Sequence, residues 1–140
     1  MLRKTLVLLL VLAALGACSK KEVKPQSEDS KLAVEAFSAA EGMRKAYVAK
    51  DFEALRKYAT EDGYRSIEKH FGDFDKAELE FANRWVEIEG ERLTLNVAWE
   101  GTWTVRGEER SGRGMAVFQF EGRPLKLERI LRASPFSVPE

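Results

Sequence analysis

Between Arg92 and Arg106 every second residue is apolar or glycine. Leu93, Leu95, Val97, Trp99, Trp103 and Val105, with Gly101 among them, occupy one set of positions. Arg92, Thr94, Asn96, Glu100, Thr102, Thr104 and Arg106 occupy the other. Successive side chains of a strand point to opposite faces, so this is a long strand with one buried face and one wet face. A helix of 3.6 residues per turn cannot gather those apolar residues on one side. A strand of this length needs partners, and Gly101 in its middle marks a bend or bulge of the kind a strongly curved sheet requires.

The flanking sequence supplies the partners. Gly107-Glu108 is a turn into a second strand, Glu109 to Glu121, whose Met115-Ala116-Val117-Phe118 run predicts burial on both faces over part of its length. Gly122-Arg123-Pro124 turns the chain again, and Leu125 to Ala133 alternates through Leu125, Leu127 and Leu131. Upstream, Glu78 to Glu89 holds Leu79, Phe81, Trp85, Val86 and Ile88, with a slip in the alternation near Asn83-Arg84. That reads as a bulged strand closed by Gly90. A helix over Lys76 to Arg84 is the alternative, because Asp75 and Glu78 have capping-box-like spacing.

Before these strands the period is helical. Ala33, Phe37, Ala40, Met43 or Ala46, and Tyr47 form one stripe over Lys31 to Lys50, with Ser30 as N-cap. Gly42 within it weakens the helix by about 1 kcal/mol relative to Ala and admits a close neighbour. Asp51 caps a second helix, Phe52 to Thr60, broken at Gly63. A third, Tyr64 to His70, ends at Gly72. Helices first and an antiparallel meander after them define an α+β fold: N-terminal helices packed on a curved antiparallel sheet of about four strands.

The first seventeen residues belong to none of this. Arg3 and Lys4 precede an apolar run from Leu6 to Leu15, the plan of a secretory signal. The run is shorter than the roughly 20 apolar residues of a membrane span. Leu15-Gly16-Ala17-Cys18 resembles the bacterial lipobox. The resemblance implies a diacylglycerol on Cys18, cleavage after Ala17 and acylation of the new amino group, for example by palmitate. Ser19 in the next position, where Asp marks inner-membrane retention, implies the outer membrane facing the periplasm. The organisation is then residues 1–17 as lipoprotein signal peptide, residues 18–30 as lipidated cysteine and flexible tether, and residues 31–140 as one domain. Ser19 to Ser30, SKKEVKPQSEDS, is too polar to fold and could reach about 40 Å when extended.

The domain resembles the nuclear-transport-factor-2-like superfamily, the SnoaL-like or cystatin-like cone, over roughly Leu32 to Phe136. The likeness rests on the long opening helix, the segment Ala46 to Ile67, the curved strands, and the closing Leu127-Glu128-Arg129-Ile130 and Ser134-Pro135-Phe136. It implies a curved sheet wrapped on the long helix around a cone-shaped pocket. The chemistry of such pockets ranges from isomerases and dehydratases to non-catalytic binding and dimerising modules.

The residues available for chemistry are few. Equal numbers of basic and acidic residues, 23 each, argue against nucleic acid as partner. One Cys excludes a disulfide framework, and one His excludes multi-His metal sites, so neither metal nor cofactor is expected. His70, with Asp73 and Asp75 nearby, is the single weak candidate for a catalytic base. Tyr64, followed by Arg65, stands where a pocket mouth would lie. Trp99, Trp103 and Phe118 are candidates to line an apolar cavity, although large aromatics more often fill a core. The expected function is a membrane-anchored, non-catalytic periplasmic binding domain for a small apolar ligand or an envelope protein. The alternatives are an isomerase- or hydratase-type pocket enzyme using His70 or an Asp, and a module that forms a homodimer through the Thr-rich sheet face.

Overall fold

The computed structural model describes Pro25 and residues 27–140; the leader, Cys18 and most of the spacer fall outside those residues. Helix α1, Glu28–Val48, opens three residues before the predicted start. Ser27, not Ser30, is its N-cap, its Oγ accepting from Ser30 N at 3.1 Å. Glu28 and Asp29 then sit in the first turn, where the helix dipole favours acids. Its buried face is mostly small, with Ala36, Ala39, Ala40 and Ala46 beside Met43 and Tyr47, so the helix can lie close to the sheet. Gly42 has the role its position suggested: a Cβ there would overlap the ring of Tyr58.

Helix α2, Phe52–Arg56, is capped by Asp51 as expected, but it stops four residues short of Thr60. The reason is a tertiary contact. Leu127 N donates to Tyr58 O at 2.8 Å and Thr60 N donates to Leu127 O at 2.9 Å, so residues 58–60 are drawn out to pair with the sheet. Thr60 then caps helix α3, Glu61–Glu68, its Oγ1 accepting from Gly63 N at 3.0 Å. Gly63 therefore lies inside a helix and does not break one. A Cβ on it would collide with the carbonyl of Leu127, so it is glycine for close helix–strand approach.

Four strands follow, β1 Lys76–Glu89, β2 Arg92–Val105, β3 Glu108–Glu121 and β4 Lys126–Arg132, in the order β1-β2-β3-β4 with every pair antiparallel. Residues 76–84 are strand, and the bulge falls between Asn83 and Trp85 where the alternation slips. Arg106 and Gly107 turn β2 into β3 at φ 51° and 82°, so the turn starts one residue earlier than Gly107-Glu108. No register shift occurs at Gly101. Its missing side chain instead leaves room for the Trp103 ring, which an added Cβ would meet at 2.8 Å. Met115 and Val117 are only half-buried while Ala116 and Phe118 are buried, so over this run β3 has one buried face rather than two. The pairing partner of Val117 on the outer face, Leu131, is itself exposed.

The inner face of the sheet closes on the helices. Arg44 Nη1 donates to Leu79 O at 2.8 Å, and Leu125 N donates to Glu35 Oε1 at 2.8 Å, tying α1 to both ends of the meander. Between them, Tyr47, Phe74, Phe118 and Phe136 form a continuous aromatic cluster, with ring centroids of successive neighbours 5.1–6.0 Å apart. Among the described residues no helix is long and apolar enough to cross a membrane.

Candidate functional site

The interior of the cone is filled. Trp103 is fully buried and its Nε1 donates to Tyr47 Oη at 3.0 Å, between the sheet and α1. The same burial pushes the Tyr47 hydroxyl up to about 12, only partly offset by the bond from Trp103. Phe118 is equally buried, against Phe81, Phe120 and Phe136. Tyr64 is buried edge-on to Phe71, with the Arg56 guanidinium 5.1 Å from its ring centroid. Burial holds its phenol above the ordinary value, and the nearby Glu68 carboxylate adds to this. All four residues proposed to line a cavity thus belong to the buried core, Trp99 at its edge.

Trp99 has a different position. Its indole lies across Gly112 and Gly114 of β3, whose added Cβ atoms would sit 3.5 Å and 3.2 Å from it. Its Nε1 donates to Ala133 O at 2.9 Å. Beyond β4 the chain folds back as a tail, pinned by buried Pro135 and Phe136 and by Arg110 Nη1 donating to Pro139 O at 3.2 Å. Between this tail, the end of α3 and the edge of Trp99 is an open cleft of about 600 Å³. Ile67, Trp99, Ile130, Val138 and Pro139 give it an apolar floor. Lys69, His70 and Arg132 stand around it, with Arg113 and Arg129 towards the outer sheet face.

His70 therefore shares a cleft with Trp99, but it is exposed on the rim and not held inside the cone. Among the described residues no hydrogen bond joins its ring to Asp73, Asp75 or any other carboxylate, so no group orients it as a base. No group of three or more metal-ligating side chains occurs among the described residues. The sequence reading missed the tail as a wall of the site. Its signal was Phe136, a large apolar side chain beside Pro135 in a stretch with no strand alternation.

No family model matches the sequence, and no curated protein matches it. Solved structures do match the fold. A nuclear transport factor 2-like superfamily protein from Salmonella enterica superposes with a TM-score of 0.64 at 13% identity, covering 76% of this chain and 93% of its own. A Novosphingobium aromaticivorans protein, proposed to be an aromatic ring hydroxylase, gives 0.64 at 14%, covering 75% and 89%. A Mycobacterium tuberculosis protein of unknown function, Rv3472, gives 0.63 at 13%, covering 78% and 75%. Helices followed by an open, curved, four-stranded antiparallel sheet are the nuclear-transport-factor-2-like cone, and this chain has that fold. The fold is shared by ligand-binding and enzyme-type proteins, and at these identities the likeness is one of architecture alone.

Proposed function

We propose that this chain is a membrane-tethered, non-catalytic binding domain of the bacterial envelope, held by lipid on Cys18 at the outer membrane and facing the periplasm. The observation that carries the non-catalytic half is the packed aromatic core, in which Trp103 and Tyr47 are fully buried and hydrogen-bonded to each other, while His70, the candidate base, is exposed and has no hydrogen-bonded carboxylate among the described residues. The tethered half rests on the basic, apolar leader and Leu15-Gly16-Ala17-Cys18. Two or three acyl chains give stable anchoring where one is marginal. Mass spectrometry of the mature amino terminus tests it: diacylglyceryl and acyl groups on Cys18 are the expected result, and an unmodified or uncut chain would overturn it.

A second reading, a homodimer through the outer sheet face, is favoured by one row of that face. Trp85, Asn96, Val117 and Leu131 pair across all four strands. Trp85 and Leu131, at its two ends, are 52% and 41% exposed. A two-fold axis along the strands would set β1 over β4 of a second copy and β2 over β3. Trp85 then faces Leu131, Glu87 faces Arg129, Glu100 faces Arg113 and Arg92 faces Glu121, as the register of the strands dictates. Apolar meets apolar and every charge named meets its opposite.

A further inference from the structure

We infer that the cleft beside the tail is a binding site for a monomeric amphipathic anion, an alkyl chain carrying a phosphate or carboxylate head. This names the ligand class of the proposed binding domain and rests on that reading.

Three observations carry it. First, the walls are fixed: Trp99 is bonded to Ala133 O at 2.9 Å, Phe136 is fully buried, and Arg110 holds Pro139 O at 3.2 Å. A rigid wall binds without first having to be ordered. Second, the floor is apolar and its volume of about 600 Å³ suits a small ligand. Gly112 deepens it, since a Cβ there would come within 3.1 Å of Pro139. Third, the charges around it are of one sign. Lys69, Arg113, Arg129 and Arg132 line the cleft together with His70, and no Asp or Glu does. None of these five takes part in an ion pair among the described residues. Two carboxylates outside the cleft offset two of them: Glu100, paired in register with Arg113 on the outer face, and Glu128, beside Arg129.

An apolar floor alone would take a neutral hydrophobe, and a cationic rim alone would take inorganic phosphate. Their adjacency selects a molecule with both parts. Arg132 pairs with Ala116 and so lies on the inner side of the sheet, towards the apolar floor. Lys69 approaches from the C-terminal end of α3, on the opposite wall. The head group would sit between these two cations and the alkyl chain along Trp99.

Calorimetric titration of the full chain in phosphatidylcholine nanodiscs, with empty nanodiscs as blank, tests the inference. Octyl phosphate and octanoate are expected to bind, with octyl glucoside and inorganic phosphate each at least about ten-fold weaker. Lys69→Glu and Arg132→Gln, both exposed positions, are expected to weaken octyl phosphate about ten-fold each while thermal unfolding stays within a few degrees of the parent. Equal binding of octyl glucoside, unchanged binding in both variants, or no binding of either anion would overturn the site. Replacing the neutral nanodiscs by anionic phosphatidylglycerol nanodiscs separates the sources. Undiminished octyl phosphate binding is expected; competition by the bilayer would mean that a membrane headgroup, not a monomeric ligand, is the occupant, and would overturn it. Titrating the chain without lipid on Cys18 in buffer, where octyl phosphate is expected to bind equally, reads failure of the cleft separately from failure of the lipid anchor.

Discussion

Tyr47 is the residue on which the closed interior depends. Its hydroxyl is the acceptor for the Trp103 indole, and four aromatic rings surround it. Burial raises its pKa from 10 to about 12. The unfolded chain therefore loses this proton first as pH rises. The stability that the neutral phenol contributes is complete below about pH 10 and is lost as pH climbs towards the folded value. Urea unfolding followed from about pH 9 to about pH 11.5 should show that decline, worth about 2 kcal/mol. In Tyr47→Phe the decline should be much shallower. At neutral pH the same variant should be less stable by about 1–2 kcal/mol, because Trp103 Nε1 is left buried without an acceptor. An unaltered alkaline slope in the variant would show that Tyr47 does not govern it.

At the scale of elements, Thr60 joins two parts of the fold. Its Oγ1 caps α3 and also lies 3.3 Å from Leu127 O, 67 residues away in sequence. Thr60→Ala should cost about 1–2 kcal/mol in chemical denaturation and Thr60→Ser should recover most of it. A loss equal in the two variants would assign the effect to the methyl group instead. The strands were legible because alternation is local: Leu93 to Val105 states its own face, and the slip at Asn83-Arg84 states its own bulge. The helix limits were less so. Residues 58–60 leave the helical path for a partner, Leu127, that no nearby residue announces. Gly63 reads as a breaker in sequence and is a contact point in space. The site was half legible. His70 and Trp99 were singled out, but their meeting depends on a tail whose path is set by where Phe136 finds room in the core.

At the scale of the whole molecule, the outer sheet face offers a direct test of assembly. Trp85 and Leu131 lie on strands β1 and β4, three strand spacings or about 14 Å apart within one chain. In the proposed dimer each faces the other across the interface. Trp85→Asp/Leu131→Asp, which sets carboxylates against each other where the two apolar side chains meet, should therefore leave the chain monomeric in sedimentation equilibrium at concentrations where the parent is a dimer. Glu87→Arg should weaken association and Glu87→Arg/Arg129→Glu should restore it. A Trp85→Asp/Leu131→Asp chain that dimerises as the parent does would reject the pairing. The charged rows also predict that association weakens with added salt.

The extension of residues 58–60 onto Leu127 has a further consequence, for solubility. An open sheet has two borders, and each is a template on which foreign strands can grow. Strand β4 is short, Lys126–Arg132, and the stretch from Tyr58 to Thr60 already occupies part of its backbone hydrogen-bonding capacity at Leu127. Strand β1, the other border, is interrupted by its bulge and carries Lys76 and Arg84. A curved sheet left open on both sides is thereby protected from polymerising edge to edge.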